Sequence, residues 1–379
     1  MAARSFCTST TSSESVARAL RETRAAVPSP SAGIVFVAGG AAHVRNVAEQ
    51  VRSTWQGVPT VIVPGAGVLH ERAEIEGTAA TAGLLWKQGK AVPFAVGEPA
   101  DDAEALGENI GRAFGPKATT ALVFHHAEAF DPETLEGIAK TSPTTHVFGA
   151  GTVSRAGMII TSDGNLIEAP AVGLALSGMA RPITATSSAC RVISSFEPIE
   201  EIAGGLVLRV GNQHALDALS RCSVDKSPDQ DPPPVVFAAL ADPNETTTDG
   251  RVRYFIRPIR GIDTTRRGIM IGDDARIGMK MGFALRDATT ARTELDTTAR
   301  FVAQNLLGSA PSFGIYLTCA GRGQNFYGTP DVEVRILRQR FGDLPMAGMH
   351  SAFEISPRDN GSPRFELYTS VLALFRTLS

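Results

Sequence analysis

Residues 58–69 read VPTVIVPGAGVL, and residues 144–155 read TTHVFGAGTVSR. Each is a short apolar run with β-branched or aromatic residues, closed by a Gly-Ala-Gly triplet. A run of this length bounded by glycine predicts a buried strand. A second buried strand and a helix precede each one. The first set is 33–38 (GIVFVA) and 43–55; the second is 120–124 and 132–140, with Asp131 placed as an N-cap. Two strands are expected to follow each triplet. Residues 78–86 and 91–96 should pair around Gly89, and residues 157–161 and 169–176 across the Asp163-Gly164-Asn165 turn. The succession is strand, helix, strand, glycine turn, strand, strand. A third copy is expected in 314–321 (GIYLTCAG), 332–341, 344–349 and 365–375, and a weaker fourth between 235 and 285. Repeats of this length stack sheets and carry helices outside them. The expected fold class is α/β (α+β): mixed sheets with outer helices, built from internally repeated strand-helix-strand-strand-strand units.

Composition narrows the function classes. The 379 residues are 43% hydrophobic, enough to bury a substantial core. Lys and Arg number 36 against 39 Asp and Glu, well mixed, for a net charge of -3. No concentrated basic face is in view, so neither nucleic acid nor an anionic membrane is an expected partner. The start, MAARSFCTSTTSSES, lacks a signal-peptide core, and no apolar run would span a bilayer. Cys7, Cys190, Cys222 and Cys319 are scattered, which argues against a disulfide framework or a zinc site. A cytoplasmic location is expected. Residues 222–234 (CSVDKSPDQDPPP) read as a linker, because three consecutive prolines fit neither helix nor sheet.

Few motifs carry chemistry. In CAGRG (319–323) two glycines flank Arg322, which could pair a ligand carboxylate or phosphate, or else Glu354. Gly65 and Gly67, like Gly149 and Gly151, are expected as turns that present backbone donors or merely serve the repeated fold. Glu74 and Glu76 share one face of a strand and are expected to be exposed. His125 and His126, with Glu128 and Asp131, form a His/carboxylate cluster, but adjacent strand residues face opposite ways, so no metal is expected. Arg253, Arg257 and Arg260 read as either an anion site, with Arg253 and Arg257 on one strand face, or a solvated edge strand. Cys319 has no histidine partner in view and reads as a small buried apolar residue. There is no Walker motif, Gly-x-Ser-x-Gly elbow or His-Glu-x-x-His, so enzyme activity is not expected.

The stretch 319–357 (CAGRGQNFYGTPDVEVRILRQRFGDLPMAGMHSAFEISP) resembles the signature of the FIST C-terminal domain. Cys319, Gly321, Arg322, Gly323, Tyr327, Gly328, Pro345, Gly348, Glu354, Ile355 and Pro357 carry the likeness. GLALSG (173–178) followed by Ser188-Ala189-Cys190-Arg191 resembles the end of the FIST N-terminal domain, and Glu74-Ile75-Glu76 resembles an acidic motif after its first glycine turn. The order of these segments spans nearly the whole chain. Met349-His350-Ser351-Ala352-Phe353 departs from the family pattern before Glu354, as does Val192 after Arg191.

The resemblance implies an N-terminal helical segment over 1–29, a FIST N-terminal domain over 30–200 and a FIST C-terminal domain over 201–379. It implies a sensory role in which a small ligand, amino-acid-like or anionic, is bound and a signalling protein partner responds. Ligand-site residues expected on this basis are Gly65, Gly67, Gly149, Gly151, Cys190, Arg191, Cys319, Arg322, Gly323, His350 and Glu354. No cofactor is expected. Some family members are haem-based nitric-oxide sensors, and His350 or His146 would be the haem ligand in that alternative. A ligand-free scaffold is the third reading.

Overall fold

The run GIVFVA lies in strand Ala32–Ala38, parallel to Thr60–Gly65, with helix Ala41–Thr54 between them. The same parallel pair with an intervening helix recurs twice. Thr120–His126 and His146–Thr152 enclose helix Glu133–Thr141, and Pro311–Cys319 and Met346–Ser351 enclose helix Val332–Phe341. Both faces of these strands are covered, which is why they read as unbroken apolar runs rather than alternating ones.

The computed structural model describes residues 2–9, 12–97, 102–222, 235–243, 253–272, 274–306, 308, 310–358 and 361–376. All of the expected linker at 222–234 except Cys222 lies outside them. By its contacts the chain divides into two compact units, Met1–Ser188 with Arg292–Ser379, and Ala189–Ala291.

The first unit holds three six-stranded sheets with one shared order. From one edge, each sheet runs through an edge strand, a long antiparallel strand, the parallel pair, and a two-stranded hairpin. The hairpin always comes from elsewhere in the chain. Gly67–His70 and Ala73–Glu76 join Met346–Ser351; Gly157–Ile160 and Leu166–Ala169 join Thr60–Gly65; Glu354–Pro357 and Pro363–Glu366 join His146–Thr152. Each parallel pair is thus extended by a hairpin from another set, and the three sheets interlock.

Alternation along the strands explains the layers. Ile34, Phe36, Leu122, Phe124, Ile315 and Leu317 face a common core between the sheets. Val35 and Val37 face the helices of their own sheet, as Val123 does in the second sheet and Tyr316 in the third. Aromatic rings close the shared core: Trp86 stacks on Phe313 at 5.0 Å, and Phe313 on Phe375 at 4.5 Å. Such pairs contribute about 0.5–1.5 kcal/mol each beyond simple burial.

Among its described residues the second unit is an antiparallel sheet of nine strands with the helix Ala215–Arg221 and its own core around Ile199, Val207, Leu240 and Phe283. The weaker fourth copy expected between 235 and 285 is therefore corrected. Val236–Ala241 pairs antiparallel with both Phe255–Pro258 and Lys280–Arg286, and no parallel pair is present among its described residues. The solvated reading of Arg257 also fails, since it is buried and bonded to Asp274.

Two strand pairings are corrected as well. Ala80–Trp86 and Lys90–Val96 do not pair around Gly89. The first binds Ala32–Ala38 and the second Ala171–Ser177, so the chain changes sheet at Gly89. The Asp163 turn closes the short hairpin Gly157–Ile160 with Leu166–Ala169, and Ala171–Ser177 is a separate strand beyond Pro170. A strand at Ala3–Thr8 precedes the first helix, Ser13–Ala26, which is capped by Ser12. Among the described residues no helix is long and apolar enough to cross a membrane.

Candidate functional site

Three neighbouring strands bring the polar groups together. Gly67 is registered against His350 on one side and Glu76 on the other. Because Gly67 has no side chain, the two flanking side chains close over it: a Cβ there would meet His350 Cδ2 at 2.9 Å and Glu76 Cγ at 3.1 Å. Glu74 lies two residues from Glu76 on the same face, with its Oε2 3.8 Å from His350 Nε2. The expectation of an exposed carboxylate pair is corrected: the Glu74 side chain is 3% exposed, while Glu76 is half-buried.

Both carboxylates are anchored from the other side. The Val334 N–H, in the first turn of Val332–Phe341, donates to Glu74 Oε1 at 2.9 Å, and the Gln324 N–H donates to Glu76 Oε1 at 2.9 Å. Gly323 makes room for this. A Cβ there would fall 1.7 Å from Glu76 Oε2. The glycine read as a ligand-binding turn is thus the cradle of a carboxylate.

Beneath lies a closed ionic network. Arg322 donates to Glu333 Oε1 at 2.7 Å and to the Ser187 carbonyl at 2.8 Å. The hydroxyls of Tyr327, Thr318 and Tyr316 donate to Glu333 at 2.7, 2.7 and 3.0 Å. Arg322 is fully buried. Its expected partner Glu354 is replaced by Glu333, and its guanidinium is committed to this network rather than turned to a ligand. Burial works against the Glu333 charge, but Arg322 and the Tyr327 and Thr318 hydroxyls outweigh it and hold the carboxyl below its usual range. That fixed negative charge acts on the neighbours. Burial first, then Glu333, pushes Glu74 up to about 8. Burial lowers His350, against the pull of Glu76 and Glu333.

The other expected residues fall into distinct roles. Gly65, Gly149 and Gly151 lie in strands, not turns, and none has a left-handed backbone. A Cβ at Gly149 would strike the Val123 carbonyl at 1.7 Å, and one at Gly151 the Phe353 ring at 2.4 Å. These glycines serve sheet and ring packing. Glu354 is fully buried; Ser351 and Thr369 hydroxyls lie 2.7 Å from its oxygens, and burial pushes it up to about 8. Cys319 is buried and its thiol is pushed up to about 11 by burial and then by Glu354. Cys190 and Arg191 belong to the second unit, in strand Cys190–Val192, with Arg191 facing Asp287 at 3.6 Å.

Of the two histidines named for haem, His350 faces two carboxyl groups, and His146 is bonded to the Thr184 hydroxyl at 3.0 Å and pushed down to about 4 by burial and then Arg181.

Glu333 escaped the sequence reading. Its signal was an acid between two valines, Val332 and Val334, in the first turn of a helix, and all three are buried. Tyr316, Thr318 and Tyr327 gave no polar signal in an apolar context.

Three interlocked mixed sheets with helices outside and one buried carboxylate–histidine cluster define an α/β domain with a built polar site. The chain belongs to the FIST family, a family of sensory domains: the model of the FIST N domain matches residues 31–212 and that of the FIST C domain residues 215–357. The first compact unit draws on both matched regions. Among relatives, a Mycobacterium tuberculosis protein named only as uncharacterized is 27% identical over 248 residues, 64% of this chain and 63% of its own length. A Mycobacterium bovis protein, likewise named, is 29% identical over 221 residues, 56% and 55% of the two chains. The chain thus spans less than two thirds of the length of these curated relatives.

Proposed function

We propose that this chain is a cytoplasmic ligand-sensing protein, without catalytic activity, that binds a small molecule at the Glu74–Glu76–His350 cluster and signals through a protein partner. The observation that carries this reading is the pair of glycines, Gly67 and Gly323, that make room for Glu76 beside the buried His350. The Glu76 carboxylate, with a Glu74 carboxyl that gives up its proton when a cation binds, favours a cationic or metal-coordinating group. An amino-acid-like ligand suits them through its ammonium, while a purely anionic one has less support because Arg322 is already held by Glu333. The high thiol pKa of Cys319 speaks for binding rather than nucleophilic chemistry.

Sensing requires that the ligand bind two conformations unequally. The cluster joins Ala73–Glu76 to the segment 323–334 and to Met346–Ser351, so an occupant would tie these elements together. The experiment is a thermal-shift panel of amino acids, amines, and their neutral and anionic analogues, on the parent chain and on Glu76→Gln. Cationic ligands should raise the melting temperature of the parent alone. Stabilisation by anions, undiminished in Glu76→Gln, would refute the assignment.

A further inference from the structure

We propose that Glu74, Glu76 and His350 form a binding site for one divalent first-row transition-metal ion, with zinc as the reference ion. The inference rests on the ligand-binding reading above and narrows its occupant; it also revises the sequence expectation of no metal.

Four observations carry it. First, each residue offers one ligand atom, and the three lie within 4.8 Å of one another. Of these, His350 Nε2 and Glu74 Oε2 are 3.8 Å apart. A tetrahedral zinc with bonds of about 2.1 Å spaces its ligand atoms about 3.4 Å apart, so small side-chain rotations close the set.

Second, His350 is 1% exposed, and neither ring nitrogen makes a hydrogen bond of good geometry, although the Cys319 backbone draws on the ring. A buried imidazole left so carries the desolvation cost of its polar atoms uncompensated. A coordinated ion would satisfy the nitrogen that faces the carboxylates. Third, the carboxylates are already oriented from behind by the Val334 and Gln324 N–H groups, the kind of outer support that fixes metal ligands.

Fourth, the fold does not demand these groups. At the matching point of the second sheet, one residue beyond the core-facing Ala150 as His350 is one beyond the core-facing Met349, stands Gly151. No histidine is needed there to close the sheet.

The donor set fixes the class of ion. One imidazole with two carboxylates and no thiolate favours zinc, iron(II) or manganese(II) over magnesium or calcium, which prefer all-oxygen shells. Three protein ligands leave a further position for water or for a donor atom of a small molecule. The half-buried Glu76 is the side from which it would enter.

The test is calorimetric, on untagged full-length protein stripped with a chelator. Zinc chloride, magnesium chloride and ethylammonium chloride are titrated separately into the parent, Glu76→Gln and His350→Gln, with melting curves taken on each. The expected result is one zinc per chain, no magnesium binding, and zinc affinity at least about 10- to 100-fold weaker in both variants. Should His350→Gln fail to fold, Glu76→Gln carries the comparison, because that side chain is half-buried and the change is nearly isosteric. Absence of stoichiometric zinc binding by the folded parent overturns the proposal, as does equally tight zinc binding by folded Glu76→Gln. Ethylammonium binding without zinc binding, lost in Glu76→Gln, overturns the metal while leaving the small-ligand reading intact. Failure of both ligands removes both.

Discussion

Gly323 occupies a position where the first atom of any side chain would fall 1.7 Å from Glu76 Oε2. The opposing group is the far end of a flexible side chain, so it can move aside. Gly323→Ala should therefore cost little stability yet displace the Glu76 carboxylate from the Gln324 N–H. The expected outcome is a melting temperature within a few degrees of the parent, with ligand affinity down at least about tenfold. Parallel melting and binding measurements check it. Retained affinity would mean that the position of Glu76 does not matter.

Arg322 and Glu333 should behave as a buried pair. Arg322→Met leaves the Glu333 charge with only hydroxyl partners, and Glu333→Gln leaves the guanidinium without its counter-charge. Each single change should destabilise by about 3–5 kcal/mol, and the double change by less than their sum. Urea denaturation of the three variants reads this directly. Additive losses would show that the pair is not coupled.

Glu354 imposes a pH dependence of definite sign. Ser351 has one hydroxyl proton but two acceptors in reach, the Thr318 carbonyl at 3.0 Å and Glu354 Oε1 at 2.7 Å. A protonated Glu354 resolves this by donating to Ser351 Oγ while Ser351 donates to Thr318. The folded carboxyl holds its proton up to about 8, whereas the unfolded one loses it near the ordinary glutamate value of 4.5. The folded state thus binds more protons between these values, and stability must fall as pH rises through that window. Glu354→Gln mimics the neutral acid. Relative to the parent, it should gain stability on the order of a few kcal/mol between pH 5 and pH 9. Denaturant midpoints across that range provide the check; parallel curves would contradict it.

Cys319 should be inert in the folded chain. With its thiol pushed up to about 11 and its side chain buried, little thiolate exists at pH 8. Alkylation mapped by mass spectrometry should label Cys319 only after denaturation. Labelling of the native chain at the rate of a free thiol would reopen covalent chemistry at this residue.

The buried strands were legible because they are covered on both faces and so carry continuous apolar runs such as GIVFVA and TVIV. Helices were legible from their apolar spacing, and Asp131, placed as the N-cap of Glu133–Thr141, accepts from the Glu133 N–H at 2.9 Å from one residue before the cap position. The exchange of hairpins was not legible. A hairpin's own residues specify its turn, whereas the sheet it joins depends on distant strands, so Ala80–Trp86 and Lys90–Val96 looked like partners. The site was half legible. Gly67, Gly323 and His350 stood out, but Glu74 looked like any solvated acid, because its burial is created by a helix start some 260 residues away. Arg322 was singled out as an arginine between two glycines that could pair a ligand or Glu354, whereas its partner is Glu333. Glu333 lies on a helix that reads as amphipathic without it.

The most direct test of the central claim is a long-range proton–nitrogen NMR spectrum of the histidine side chains during ligand addition. The protein has seven histidines. With one equivalent of the bound ligand, the ring signals that are missing from His350→Gln should shift, and those of the other six should stay in place. Unchanged His350 signals under saturating ligand, or equal shifts of all the rings, would contradict the assignment of Glu74, Glu76 and His350 as the binding site.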